Sequence, residues 1–261
     1  MTSIRIFFIG GAIAYKALFN WIRPAIYIPT MLGSPLFQIL FFAHLGRFSG
    51  LRDDSFFVIG NAVQACSMAS IYAMTMTIAN ERYFGTLSAL LATPANRFAL
   101  FMGRALPPIA NGLFVSVFGL VVGTLLLDFS LAEADLVAFA LVLVATVLSC
   151  TCLGMMLGSI GLRARDVFFV SNLVYFLMLL FCGVNIPIES LPPWMEAIGR
   201  SVPLTHGIIA AREVAAGADL AAVGDLVRTE LAIGAGYGCI AFGLFRYFEL
   251  ETRRRATLET Y

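Results

Sequence analysis

Charge is what this sequence has least of. Only 13% of its residues are charged, 60% are apolar and mean hydropathy is +0.89. A soluble domain carries about a quarter charged residues, so a water-soluble fold is excluded. Lysine occurs once, as Lys16, beside sixteen arginines. A phosphate-cradling loop needs GxxxxGK[ST], and Lys16 follows Tyr15 rather than glycine. The chain therefore carries no Walker-type ATP site, and no cofactor is expected in it. Histidine occurs twice, as His44 and His206, with no third metal ligand predicted beside them. The five cysteines form no CxxC pair and fall in apolar stretches, where they read as small packing residues. Arg5 is followed by a moderately apolar run with no small-x-small site before Lys16, so no cleavable signal peptide is expected.

Long apolar runs are what the sequence has instead. Six of them cover 24–45, 56–79, 104–127, 136–161, 167–188 and 229–248. Each reaches the roughly 20 residues that a helix needs to cross a bilayer core. They are continuous, unlike the alternating ten-residue strands of an outer-membrane barrel. The expectation is an all-α polytopic membrane protein forming one transmembrane domain over 1–261, with lipid around it and no nucleic acid partner. The spans hold no Asp or Glu away from their ends, which argues against an ion-coupled carrier or a selective channel. No cluster of paired carboxylates or metal ligands at one depth supports a membrane enzyme. With both termini on one side, the segments on that side hold 12 of the 17 Lys and Arg. That bias places both termini in the cytoplasm.

The segments between the spans are also patterned. In 3–23, Arg5, Lys16 and Arg23 share one helical face, with Phe7, Leu18 and Trp21 roughly opposite. That pattern predicts an interfacial helix. Pro29 and Pro35 predict a kink in the first span. Gly119-xxx-Gly123, Gly154-xxx-Gly158 and Gly234-xxx-Gly238 offer close helix contacts. The longest loop, 189–228, has two helix starts, one at Pro192-Pro193-Trp194 and one at Pro203-Leu204-Thr205-His206. It is too apolar to lie free in water. A pair of short helices re-entering the extracellular leaflet fits both facts, with Pro192, Pro193, Trp194, Pro203 and His206 as an outer gate. His206 at a helix start also reads as a capping or loop histidine.

Between the second and third spans lies 81–94. Phe84, Leu87, Leu90 and Leu91 recur on one face of a short helix, with Gly85, Ser88 and Ala92 opposite. That pattern fits either a plain surface helix or a docking helix for a cytoplasmic partner.

The stretch Asn80-Glu81-Arg82-x-x-Gly85-Thr86-Leu87-x-x-Leu90-Leu91-x-Thr93-Pro94 resembles the coupling-helix signature of type-2 ABC exporter permeases. Gly103-Arg104, Pro187 through Pro193, and Pro203-Leu204-Thr205 resemble the same family. Ser88 stands where the family often has Glu. The resemblance implies the permease subunit of an ABC transporter in a bacterial inner membrane, exporting an amphiphilic, lipid-like, drug or glycan substrate. It implies partner docking by Glu81, Arg82, Phe84, Gly85, Thr86, Leu87, Leu90, Thr93 and Pro94. It also implies a nucleotide-binding ATPase subunit holding ATP and Mg, and a second permease subunit, identical or related. The alternatives are an ATP-independent membrane channel or an integral-membrane enzyme.

Overall fold

The computed structural model describes residues 11–12, 24–50, 53–83, 97–127, 129–132, 134–161 and 166–255. The described residues are nearly all helical. The first helix, α1, runs through Pro24–Tyr27, a π-helical turn Ile28–Gly33 and Ser34–Ser49. The π turn falls at Pro29, one of the two prolines expected to kink this span. Pro29 has no N–H to give, and the Ser34 N–H bonds back to the Pro29 carbonyl five residues earlier. Then follow α2 (Asp54–Tyr83), α3 (Arg97–Leu126), α4 (Leu136–Gly161), α5 (Val167–Phe181), a 3-10 turn (Ile188–Ser190), α6 (Pro193–Ser201), α7 (Thr205–Ala215) and α8 (Leu220–Arg255).

Among the described residues, five helical stretches are long and apolar enough to cross a membrane: Ile28–Phe48, Asp54–Thr77, Met102–Leu126, Leu136–Gly161 and Leu220–Phe248. The remaining apolar stretch, expected over 167–188, forms a helix of only 15 residues, α5. At 1.5 Å per residue that is about 22 Å, short of a hydrocarbon core of about 30 Å. The apolar run continues, but the backbone leaves the helix at Cys182, and Gly183 adopts a left-handed φ of 74°. The last span differs in the other direction. The stretch 229–248 lies inside a 36-residue helix that starts at Leu220. Glu230, expected at a span end, therefore sits in the helix interior, fully buried. Helix α3 starts at Arg97 and its apolar span at Met102, so Pro107 and Pro108 lie inside the helix.

Helix α2 is the centre. In its apolar window 89% of residues are buried, against 17% for α1 and for α8. It packs on α1, α3, α4, α5 and α7, while α4 packs on α2, α3, α7 and α8. The main apolar core lies between them, around Val58, Ile59, Val63, Val142, Val147, Leu204 and Ile208. Helices α2, α4 and α8 run one way; α1, α3 and α5 run the other. The bundle thus has a hairpin end, carrying α6 and α7, and a basic end, where α3 begins near Arg97 and Arg104 and α8 closes at Arg246 and Arg253–Arg255. The segment 3–23 lies outside the described residues except for helical Gly11 and Ala12.

Candidate functional site

Among the described residues, two polar constructions interrupt this apolar bundle. The first is a seam along one face of α2, where Asn61, Gln64 and Tyr72 follow helical spacing toward α1 and α5. The Tyr175 hydroxyl donates to Gln38 Oε1 at 2.7 Å, and Gln38 Nε2 donates to Asn61 Oδ1 at 2.9 Å. Asn61 Nδ2 donates to Asn185 Oδ1 at 2.7 Å and to the Phe57 carbonyl at 2.9 Å. Gln64 Nε2 donates to the Tyr175 carbonyl at 3.4 Å. Further toward the basic end, the Tyr72 hydroxyl donates to Asn172 Oδ1 at 2.5 Å. The rings of Tyr72 and Tyr175 meet edge to face, their centroids 6.4 Å apart. Buried polar side chains are costly unless hydrogen-bonded. The chain of bonds offsets that cost by making α1, α2 and α5 one connected polar face. Among the described residues, Gln64 Oε1 and Ser171 Oγ are buried without a hydrogen-bond partner. The seam therefore keeps spare hydrogen-bonding capacity.

The second construction holds the helix pair α6–α7 to the bundle. Glu230 of α8 reaches the start of α7, where backbone N–H groups lack intrahelical partners. Its Oε1 accepts from the Leu204 N–H at 2.7 Å, and its Oε2 accepts from the Gly207 N–H at 3.2 Å. A carboxylate at a helix N-terminus also complements the helix dipole. Leu204 has φ 100°, the one described non-glycine residue with positive φ. That is a costly conformation for a branched side chain. Complete burial and the bond to Glu230 hold it there. The Ser149 hydroxyl of α4 donates to the Glu230 carbonyl at 2.8 Å, tying α4 into the same joint.

At the other end of α7, Arg212 lies across the broken end of α5. It donates to the carbonyls of Gly183 at 2.8 Å, Val184 at 2.7 Å and Phe56 at 3.0 Å. Its guanidinium stands 3.6 Å from the centroid of the Phe56 ring, within cation–π range. The α5 helix ends in irregular backbone, and the arginine satisfies the carbonyls released there. Beside it, Arg47 of α1 pairs with Asp54 at the start of α2, with Nε 2.8 Å from both carboxylate oxygens.

The expected gate residues divide between these two short helices. Pro192 and Pro193 start α6. Trp194 is 61% exposed and meets Phe181 edge to face at 6.1 Å. Pro203 is buried, and its carbonyl lies 4.0 Å from Cys182 Sγ. His206 is buried in the first turn of α7, its Nδ1 without a hydrogen-bond partner among the described residues. Burial, with a smaller contribution from Arg200, holds its pKa below the usual histidine value. Trp194 faces outward while His206 faces the bundle, so the two do not form one cluster. His44 lies exposed on α1, with Nδ1 2.8 Å from the Leu40 carbonyl. Of the docking residues, Glu81 and Arg82 fall in the last turn of α2. Phe84, Gly85, Thr86, Leu87, Leu90, Thr93 and Pro94 lie outside the described residues.

Sequence reasoning passed over Asn61, Gln64, Tyr72, Tyr175, Arg212 and Glu230. The spacing of Asn61, Gln64 and Tyr72 on one helical face was the available signal for the seam. Glu230 gave none, because its depth depends on where α8 begins.

The chain is 24% identical over 196 residues to a protein described as "Probable multidrug ABC transporter permease YbhR" in Escherichia coli K12, and equally to its counterpart in strain O157:H7. The alignment covers 74% of this chain and 53% of each relative, so the chain spans about half the length of the curated relatives it matches. The sequence pattern of the ABC-2 type transporter family matches residues 11–215, which run from before α1 to the end of α7. The chain belongs to the ABC-2 type transporter family.

Proposed function

We propose that this subunit is the membrane half of an ATP-driven exporter, carrying an amphiphilic drug, lipid-like or glycan substrate out of the cytoplasm. The observation that carries the proposal is α2. It runs unbroken from Asp54, beside the Arg212 joint, to Tyr83, at the head of the segment 81–94. It is also the most buried helix of the bundle. A displacement applied at 81–94 would reach the hairpin end through one rigid, central rod. The missing Walker lysine supports a separate nucleotide-binding subunit, holding ATP and Mg and docked on 81–94. A second permease subunit, identical or related, completes the path. The polar seam on α1, α2 and α5 supplies the hydrogen-bonding surface for polar parts of a substrate. The helix pair α6–α7, re-entering the outer leaflet, gates the exit. The bias of Lys and Arg supports both termini in the cytoplasm of a bacterial inner membrane. The description of the relatives as multidrug permeases favours amphiphilic drugs among the substrate classes.

The test uses the chain co-expressed with an ATP-binding subunit, with ATP hydrolysis and export of a fluorescent amphiphilic dye measured on one preparation. Glu81→Gln keeps size and hydrogen bonding but removes the charge. We expect assembly and hydrolysis to persist while export falls about tenfold, whereas removing a carboxylate from the last turn of α2 by itself only relieves the helix dipole, by under about 1 kcal/mol. Gly85→Trp should weaken co-purification of the ATP-binding subunit. Wild-type export by both variants would sink the docking role of 81–94. ATP turnover by this chain alone, with contaminating ATPases excluded, would refute the assignment.

A further inference from the structure

On the side of the bundle away from the polar seam, α3, α4 and α8 enclose a groove of about 430 Å³ in the basic half. Met102, Met155, Ser159, Gly238, Phe242 and Phe245 line it. We infer that this groove is a lipid site, holding one acyl chain of an anionic phospholipid whose headgroup lies at Arg246.

The chemistry of the lining selects hydrocarbon. Its one hydroxyl, on Ser159, is already committed to the carbonyls of Met155 at 2.9 Å and Ala241 at 3.3 Å. With that donor spent, a polar ligand would find only the Ser159 lone pairs and the weak Cys239 thiol to replace its water. The size selects a chain, since about 150 Å³ of dry apolar cavity already admits benzene. A floor of Met74, Ala105, Met155, Ala241 and Phe245 closes the inner side. The outer side opens to the bilayer past Cys239 and Phe242, both exposed.

Gly238 keeps the space open. A Cβ there would touch only Cys152, with its Sγ at 3.4 Å, an ordinary contact. Packing therefore does not require glycine, which costs a helix roughly 0.5–1 kcal/mol relative to alanine. A larger side chain would instead project into the groove. Charge selects the headgroup. Arg246 is exposed, follows Phe245 and lies one turn beyond Phe242 on the same helical face. A chain lying among Phe242 and Phe245 would end beside it, at the end of the bundle that also carries Arg104. Basic residues at a membrane surface attract anionic lipid. The site involves α8, beyond the stretch matched by the family. It requires neither a transported substrate nor an ATPase.

The experiment uses the full chain in nanodiscs of phosphatidylcholine and phosphatidylglycerol. The probe is phosphatidylglycerol with a photoreactive diazirine midway along one acyl chain, and labelled residues are located by peptide mass mapping. Labelling should concentrate on Met102, Met155 and Phe242, above that of Phe168 and Phe176 on α5, which are more exposed than any of the three. Unlabelled phosphatidylglycerol should compete better than phosphatidylcholine. Gly238→Phe should cut groove labelling about tenfold. Gly243→Phe, at a glycine with nothing within 4 Å and outside the lining, should leave it unchanged. Arg246→Ala should reduce the preference for phosphatidylglycerol about fivefold. Ala235→Phe fills the groove from an exposed position and serves if Gly238→Phe fails to fold. Equal labelling of groove and α5, or labelling that survives both filling variants, would leave only exchangeable bulk lipid and overturn the proposal. Loss of selectivity for phosphatidylglycerol in the wild-type chain would overturn the headgroup assignment.

Discussion

Near the hairpin end α8 lies hard against α4, and near the basic end the two helices leave a groove between them. Each region presents a glycine of α8 to α4, four residues apart, so glycine alone does not decide the spacing. A Cβ built on Gly234 would lie 2.5 Å from Ser149 Oγ and 2.7 Å from its Cα. A Cβ on Gly238 would lie 3.4 Å from Cys152 Sγ. The difference arises from the polar joint above. Glu230 binds the start of α7, Ser149 binds the Glu230 carbonyl, and this network draws α8 onto α4 over one turn. Below it, α8 is held by Ser159 to Ala241 and by apolar contact around Phe245. A small-xxx-small motif therefore permits close approach, and here that approach accompanies the Glu230 carboxylate joint rather than a lone serine bond such as Ser159 to Ala241.

The harshest way to break the contrast is Glu230→Ala. It leaves the Leu204 and Gly207 N–H groups buried without their acceptor and frees Leu204 from the bond that supports its left-handed backbone. Each orphaned buried donor costs about 1–3 kcal/mol. We expect a loss of several kcal/mol in detergent-solubilised unfolding, with α6–α7 the first segment to become protease-sensitive. Glu230→Gln retains one carbonyl acceptor and should recover part of the loss. A wild-type unfolding midpoint for Glu230→Ala would show that the joint does not hold α7.

Gly234→Val should be the next most damaging change. Its branched side chain meets Ser149 backbone, which cannot swing aside, and overpacking of this kind costs about 1–3 kcal/mol. It should also lengthen the Ser149 bond to the Glu230 carbonyl, so Gly234→Val and Ser149→Ala should be non-additive in a double-mutant cycle. Strict additivity would mean that the close packing and the polar tie are independent.

Much of the fold was legible in the sequence, and the limits of that legibility are physical. Hydropathy located α4 at 136–161, since polar loops flank it on both sides. It overran α5, because Gly183 turns the backbone out of the helix while the apolar run continues. It missed the start of α8, because Asp225, Arg228 and Glu230 make the first turns look like loop. Those turns are helical because Asp219 caps the helix, its carboxylate accepting from the Ala222 N–H at 2.9 Å. The helix starts around Pro193 and Thr205 were readable from proline and threonine chemistry. What the resulting helices dock against was not, because Arg212 and Glu230 act on carbonyls and N–H groups far away in the chain. The seam was half legible: Asn61, Gln64 and Tyr72 announce a polar face, but their partners on α1 and α5 appear only in three dimensions.

A smaller effect should separate the hairpin end from the rest by pH. His206 has its pKa lowered by burial, then by Arg200, so the unfolded chain takes up the proton first as pH falls. Stability from the neutral, buried ring is complete above the ordinary histidine value of about 6.5 and declines below it, toward the folded value. Unfolding of the α6–α7 pair, followed by hydrogen exchange, should ease between about pH 7.5 and about pH 5.5. Exchange in the lower part of α8 should not follow it. His206→Gln should flatten the dependence at α7. An unchanged pH profile in that variant would assign the effect to another group.

The smallest expected effect tests the contrast most finely, because its sign differs between the two regions. Gly234→Ala and Gly238→Ala add the same methyl group to the same helix, one turn apart. At 234 the methyl meets Ser149 Oγ, Cα and Cβ within 2.8 Å, and something must shift. At 238 it rests against Cys152 Sγ at 3.4 Å and Cβ at 3.8 Å, in ordinary contact. Alanine also removes the backbone freedom that glycine brings to a helix, a gain of roughly 0.5–1 kcal/mol. Gly238→Ala should therefore unfold at the wild-type midpoint or slightly above it, while Gly234→Ala unfolds below it. The added methyl is too small to fill a groove of about 430 Å³, so lipid labelling at Met102 and Phe242 should persist. Equal destabilisation by the two variants would mean that α8 packs on α4 as closely near the basic end as near Glu230, and that no groove separates them there.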